Sequence, residues 1–197
     1  MSLFPDVQRK AQDEISRQVG PDTLPDFDDY DKLVYVQAVV LETMRWLPVA
    51  PLAIPHRVTR DDEYRGMLIP EGSTVIPNTW AILRNPEDYP EPERFNPDRF
   101  IKDGCLDTSV RSPLTLAFGY GRRTCPGRWL SSASLFMIIA STLHTMDIHP
   151  ILGPNGEPFD PEKHAFPGIK LNFDKLPCAV TPRSTKAAEL IRKYTNN

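Results

Sequence analysis

Cysteine is scarce in this chain of 197 residues: there are three, Cys105, Cys125 and Cys178, far apart and odd in number. That pattern excludes a disulfide framework, and no C-x-x-C spacing offers a zinc site. A reduced, cytosol-facing location is the expectation, and a cysteine with a role here would act as a thiolate. No run of eighteen apolar residues occurs, so no transmembrane segment is expected. The opening residues Met1-Ser2-Leu3-Phe4-Pro5-Asp6 lack a basic n-region and an apolar h-region, so no secretory signal is expected either. Positive charge is not in excess: 23 Lys+Arg stand against 26 Asp+Glu, a net charge of −3, which argues against a nucleic-acid partner. Glycine is ordinary at 10 residues, whereas proline reaches 21, about twice the usual ~5% of a chain. There is no Gly-X-Y period, which excludes collagen, and the aromatics set among the prolines argue against a flexible linker. With 40% apolar and 25% charged residues the chain reads as globular, much of it ordered but irregular.

Helical periodicity is clearest in three places. Pro5 to Val19 carries Val7, Ala11, Ile15 and Val19 on one face, with Pro near the first turn and Gly20 as a stop. Val34 to Leu47 is apolar enough to be buried and ends at Pro48. Arg128 to Met146 is apolar nearly all round, a helix that belongs inside a larger body. A short terminal helix, Thr185 to Tyr194, is expected with Ser184 as its cap. Between Pro48 and Ile82 the pattern turns to short extended runs, Ile54–Thr59, Tyr64–Ile69 and Thr74–Asn78, with a turn at Ile69-Pro70-Glu71-Gly72. Further strands are expected at Ile169–Phe173 and Cys178–Thr181. In Arg84 to Phe100, Pro86, Pro90, Pro92 and Pro97 forbid helix and central strand, yet Tyr89, Phe95 and Phe100 call for burial. Residues Lys102 to Ser112 read as a surface loop. The fold class is therefore mainly α with a small antiparallel β-sheet, an α+β arrangement.

The residues that carry chemistry lie in Phe118-Gly119-Tyr120-Gly121-Arg122-Arg123-Thr124-Cys125-Pro126-Gly127, directly before the third helix. Two glycines permit a sharp loop and a close approach. An arginine supplies a fixed fork for a carboxylate or phosphate. The cysteine sits where a helix N-terminus favours an anion, and Phe118 can shield its sulfur. Glycine-rich strand-to-helix turns also bind phosphates, which is the plainer alternative.

The spacing F-x-x-G-x-R-x-C-x-G, met at Phe118, Gly121, Arg123, Cys125 and Gly127, resembles the haem-ligand loop of the cytochrome P450 family. The resemblance implies that Cys125 is the axial ligand of haem b (iron protoporphyrin IX) through its thiolate. It implies that Arg123 pairs with a haem propionate, and that Gly127 lets the helix backbone lie against the porphyrin. Phe118, Gly119 and Gly121 would complete the cofactor-binding loop. Glu42-Thr43-Met44-Arg45 is similar to the family's E-x-x-R motif, whose pair meets an arginine from a proline-rich meander. The family context F-x-P-x-R-F is met by Phe95-Asn96-Pro97-Asp98-Arg99-Phe100, so Arg99 is the expected third member of a structural triad. Arg94, in Pro92-Glu93-Arg94-Phe95, is the decoy. His56 is the expected propionate partner on the strand side, with Arg57 as rival and a plain polar strand residue as the alternative. Val49 to Ile54 and the turn at Phe166 to Ile169 match substrate-facing segments, or are simply core. His144, His149 and His164 have no ligand partner at useful spacing, and Cys105 and Cys178 read as bystanders.

The resemblance implies one incomplete domain over residues 1–197, holding the C-terminal, proximal part of the family's fold. No A-G-x-D-T-like segment occurs, so no distal oxygen-activating residue is identified. The implied function is that of a haem-thiolate monooxygenase inserting one oxygen atom of O2 into a small hydrophobic organic substrate. No flavin or nicotinamide fingerprint is present, so a separate NADPH-dependent flavin reductase is the implied electron donor. The implied location is the cytoplasmic face of the endoplasmic reticulum. The motif wording looks closest to fungal secondary-metabolism members. A catalytically inactive remnant, or a haem-binding or interaction module, is the alternative.

Overall fold

The computed structural model describes residues 1–152, 156–157 and 178–195. Helix α1 (Pro5–Gln18) begins with Pro at its first position and Asp6 in its first turn, both favourable at a helix N-terminus. A short 3₁₀ turn, Phe27–Lys32, is closed by a capping box in which Asp26 and Asp29 each accept from the other's end of the turn. Helix α2 (Val34–Trp46) follows and is buried over most of its circumference. Strand β1 (His56–Arg57), the hairpin β2 (Asp62–Tyr64) and β3 (Met67–Ile69), and β4 (Thr74–Val75) come next. Helix α3 (Thr79–Ile82) is a single turn capped by Asn78. The proline-rich stretch contains a 3₁₀ turn at Pro97–Phe100 and leads into β5 (Ile101–Lys102) and β6 (Cys105–Leu106). After the glycine-rich loop comes α4 (Arg128–Thr145), then β7 (Met146–Pro150), β8 (Cys178–Pro182) and α5 (Thr185–Thr195).

Helices α1, α2 and α4 pack around one core of Ala11, Ile15, Val36, Val39, Phe136, Ala140 and Leu143. A second core, Ala38, Leu83, Tyr89, Phe100 and Leu116, lies on another side of α2 and ties the proline-rich stretch to it. Two of the long-range polar contacts are side chains of α1 meeting backbone. The first turn of α2 has no side-chain cap of its own; Glu14 of α1 supplies one, accepting from Tyr35 N at 2.8 Å and Val36 N at 3.0 Å. Gln8 does the same for β7, donating to Ile148 O at 3.2 Å and accepting from Ile148 N at 2.9 Å.

Several local expectations differ from what forms. The strands do not join one sheet: among the described residues β1 pairs β4, β2 pairs β3, β5 pairs β6 and β7 pairs β8, all antiparallel. The run Tyr64–Ile69 is not one strand but half a hairpin, because Arg65 and Gly66 take φ of 52° and 79° and reverse the chain. The expected loop at Lys102–Ser112 begins as a hairpin, reversed by Asp103 and Gly104 at φ of 51° and 78°; the Asp-Gly pair was its signal. The proline turn is displaced by one residue: Ser73 N donates to Pro70 O, with Gly72 at φ 84° in the position that needs it. Helix α4 is not enclosed: Phe136, Ala140 and Leu143 are buried, but Leu130 is 74% and Ile138 62% exposed. The expectations at Ile169–Phe173, Phe166–Ile169 and His164 lie outside the described residues.

Candidate functional site

The glycine-rich loop is anchored at both ends before it presents anything. Leu116 is buried in the second core, and Tyr120 Oη lies 2.8 Å from Oγ1 of the fully buried Thr79. On either side of Tyr120, Gly119 turns through φ 86° and Gly121 through φ 59°, a region L side chains rarely enter. Cys125 N then donates to Phe118 O at 2.8 Å, closing the loop, and Thr124 Oγ1 donates to Gly121 O at 2.8 Å. Phe118 is half-buried and Cys125 exposed. Gly127 is the N-cap of α4, and a Cβ there would lie 3.7 Å from Cys125 Sγ. Its lack of a side chain keeps the surface beside the sulfur open. Arg122 and Arg123 are exposed and form no ion pair among the described residues.

Beneath this loop, α2 and the proline-rich stretch meet in a buried charge cluster. Glu42 and Arg45 are fully buried. Arg45 Nε donates to Glu42 Oε2 at 2.7 Å and Arg45 Nη2 to Oε1 at 2.9 Å, a bidentate pair. Asn96 N adds a bond to Oε1 at 2.7 Å, and Arg99 Nε adds another at 3.2 Å. Arg45 also donates to Leu83 O and Arg94 O, at 3.1 and 3.3 Å. Arg99 donates to Pro90 O, Glu91 O and Arg94 O, at 2.6, 3.2 and 3.1 Å. Arg94 contributes its carbonyl; its side chain is 67% exposed and faces Glu91. Prolines cannot donate, so this coil has fewer backbone donors than carbonyls, and guanidinium forks reach in to meet Pro90 O, Glu91 O and Arg94 O.

Two residues that sequence reasoning passed over belong to the same support. Arg84 donates to Trp46 O at 2.6 Å and stacks 3.4 Å over the Trp80 ring, bridging α2 and α3. Tyr120 was read only as a spacer of the loop, although an aromatic hydroxyl next to two glycines was a signal for an anchor. Tyr89 is fully buried beside Arg45, its hydroxyl donating to Arg111 O at 2.9 Å. Burial pushes its phenol up to about 12.

His56 stands half-buried on β1 opposite Val75, and no hydrogen bond or ion pair joins it to the glycine-rich loop among the described residues. Arg57 is exposed and its guanidinium lies over the Gly72 turn, 3.7 Å from where a Cβ would be. Val49, Leu52 and Ile54 are exposed at 71, 45 and 65%, a strip of apolar surface ahead of β1. Among the described residues no three His, Cys, Asp or Glu side chains converge on a metal position. A metal at Cys125 would therefore need its remaining ligands from outside the protein, which a porphyrin provides. The donor set and the open surface at Gly127 fit such a group.

Comparison with known proteins agrees with the motif. The sequence profile of the family described as cytochrome P450 matches residues 1–172. The cytochrome P450 monooxygenase COX2 of Coprinopsis cinerea is 44% identical over 97% of this chain and 36% of its own length. Cytochrome P450 monooxygenase 176 of Postia placenta is 42% identical over the whole chain and 38% of its own length. Cytochrome P450 monooxygenase claR of Ampulloclitocybe clavipes is 42% identical over 98% of the chain and 36% of its own length. The chain thus spans little more than a third of the length of these curated relatives. It belongs to the cytochrome P450 family. Its α-helices and small antiparallel strand pairs are consistent with the C-terminal part of that fold, and no helix among the described residues is long and apolar enough to cross a membrane.

Proposed function

We propose that this cytochrome P450 chain supplies the haem-thiolate side of a monooxygenase, with Cys125 as the axial ligand of haem b. One observation carries the reading: Cys125 is held by its own N–H on Phe118 O, exposed, at the entrance of α4, with no side chain at Gly127 to obstruct the face beside Sγ. When bound, the haem would supply the activation of O2 and the transfer of one oxygen atom to an organic substrate. The protein's own part is to hold and tune. Cys125 stands just ahead of the first turn of α4, on the side of the helix where its dipole is positive. Arg123, with no ion pair among the described residues, is suited to a propionate carboxylate, and His56 to the other. Phe118, Gly119 and Gly121 set the loop close enough for the ring to lie on it. Glu42, Arg45 and Arg99 act at a distance, fixing the coil on which the loop rests.

The exposed strip Val49 to Ile54 suits a small hydrophobic substrate. Electrons would come from a separate NADPH-dependent flavin reductase, and the family places such an assembly at the cytoplasmic face of the endoplasmic reticulum. The relatives' fungal origin fits a role in secondary metabolism. The second reading is a haem-binding or interaction module without oxygen activation.

Reduced-CO difference spectroscopy on the expressed chain tests the assignment. A thiolate-type Soret band that is lost in Cys125→Ala supports it. Haem uptake with an unchanged band in Cys125→Ala refutes the ligand, and no uptake by a folded chain favours the interaction module.

A further inference from the structure

Residues 119–125 carry the cysteine and the arginine assigned to the haem, yet little in that segment grips the body of the protein. Gly121, Arg122, Arg123 and Cys125 are exposed, and no neighbouring atom comes within 4 Å of where a Cβ would stand at Gly121. The backbone bonds stay local: Arg123 N donates to Tyr120 O at 3.3 Å, Thr124 N to Gly121 O at 3.3 Å and Cys125 N to Phe118 O at 2.8 Å. Among the described residues one side-chain hydrogen bond leaves the segment, the 2.8 Å contact between the hydroxyls of Tyr120 and Thr79. The Tyr120 ring packs against the second core, and its backbone is the N-cap of the 3₁₀ turn Gly121–Arg123. Glycines at φ 86° and 59° on its two sides remove local stiffness. Thr79, by contrast, is fully buried at the start of α3, and α3 is tied down three times. Trp80 N donates to Pro51 O at 2.8 Å, Leu83 O accepts from Arg45 at 3.1 Å, and Arg84 donates to Trp46 O at 2.6 Å. The spacing F-x-x-G-x-R-x-C-x-G leaves position 120 free, so the motif itself asks for no hydroxyl there.

We propose that Tyr120 is a positioning residue for the thiolate loop. Its hydrogen bond to Thr79 fixes the turn from which Arg123 extends and the short span to Cys125, so that sulfur and guanidinium are presented to the haem in one arrangement. This role rests on the haem-thiolate reading of Cys125 and deepens it. Without the hydroxyl the ring stays packed on the second core, but the turn is free to pivot on Gly119 and Gly121. A loop that samples several arrangements must give up that freedom when the haem binds. The cost falls on haem retention and leaves the packing of α1, α2 and α4 untouched.

Two measurements on the full chain test this: amide exchange without haem, and the rate at which bound haem passes to excess apomyoglobin. Tyr120→Phe should speed exchange at Cys125 N about five- to tenfold, the equivalent of one hydrogen bond, with the amides of Val40 in α2 and Ala140 in α4 unchanged. It should release haem about five- to tenfold faster while the reduced-CO band still starts as the thiolate type. Thr79→Val should match it, and the double variant should be no worse than either single one, because both changes break the same bond. Thr79→Ser, which keeps the hydroxyl, should retain wild-type exchange and haem retention. Strict additivity of the two variants, wild-type haem retention in Tyr120→Phe, or exchange that quickens equally in α2 and α4 overturns the proposal. A wild-type chain that takes up no haem, or a band that survives Cys125→Ala, refutes the haem reading instead, and exchange at Cys125 N still decides whether Tyr120 holds the loop.

Discussion

Replacing Glu42 by Gln changes one oxygen for an NH₂ group, but the structure makes it a severe substitution. Four N–H bonds converge on the Glu42 carboxylate: two from Arg45, one from Asn96 N and one from Arg99. A glutamine retains one acceptor oxygen. Its new NH₂ would point two donors at guanidinium N–H groups, and two nearly buried positive charges would lose their counter-ion. Breaking a buried ion pair from one side costs about 3–5 kcal/mol. For a urea m-value of about 2 kcal/mol/M, the unfolding midpoint should fall by about 1.5–2.5 M. Trp46 is a built-in reporter, because its Nε1 donates at 3.2 Å to Glu93 O in the proline-rich coil. Its fluorescence should lose the native signal together with far-ultraviolet circular dichroism. Pairing the change with Arg99→Met separates the terms: the double variant should be more stable than the summed single effects by about 1–3 kcal/mol, since one orphaned charge is then gone. A loss below about 1 kcal/mol for Glu42→Gln, or strict additivity with Arg99→Met, refutes the claim that the cluster works as a unit.

Arg94→Ala should cost less than about 0.5 kcal/mol in the same urea assay, because its side chain makes only an exposed ion pair with Glu91 while its carbonyl meets the cluster, whereas Arg99→Ala should cost about 2–4 kcal/mol. Glu14→Ala removes the distant cap of α2 and should destabilise by about 1–2 kcal/mol, with amide exchange at Tyr35 and Val36 accelerating first. Tyr89 carries an alkaline liability: its folded phenol is raised to about 12 from the usual 10, so its contribution is intact below pH 10 and is lost as pH climbs through 12. Tyr89→Phe should flatten the fall in stability over that range while costing about 1 kcal/mol at neutral pH for the lost bond to Arg111 O; an unchanged alkaline slope counts against the assignment.

What could be read from the sequence, and what could not, divides along physical lines. Helices α1, α2 and α4 start and end within a residue or two of expectation because their signals are local: Pro5 and Gly20, Pro48, and the Pro126-Gly127 pair. The hairpins fared worse because two- and three-residue strands carry too little alternation to stand out, and only the Asp103-Gly104 dipeptide announced one of them. The Cys125 loop was visible as a motif because its five fixed positions fall within ten consecutive residues. The supports of that loop were not visible, because they join residues dozens of positions apart: Thr79 with Tyr120, Arg84 with Trp46, Glu14 with Tyr35. Nor was the cavity lined by Ser16, His144 and Arg183, which exists only once α1, α4 and α5 are assembled.

The excess of proline has a physical consequence beyond rigidity. A coil of Asn85 to Arg99 that lacks N–H groups at four positions keeps every carbonyl, so its backbone cannot pair all of them within itself. Burying such a coil requires side-chain donors as well, and side chains with several N–H groups in one plane are the economical source. Arg45 and Arg99 between them reach five carbonyl contacts at Leu83, Pro90, Glu91 and Arg94. Those guanidinium charges then need a buried anion, and Glu42 is that anion. The triad and the prolines are thus two halves of one solution: the prolines hold the coil's shape, and the charge cluster makes that shape stable to bury against α2.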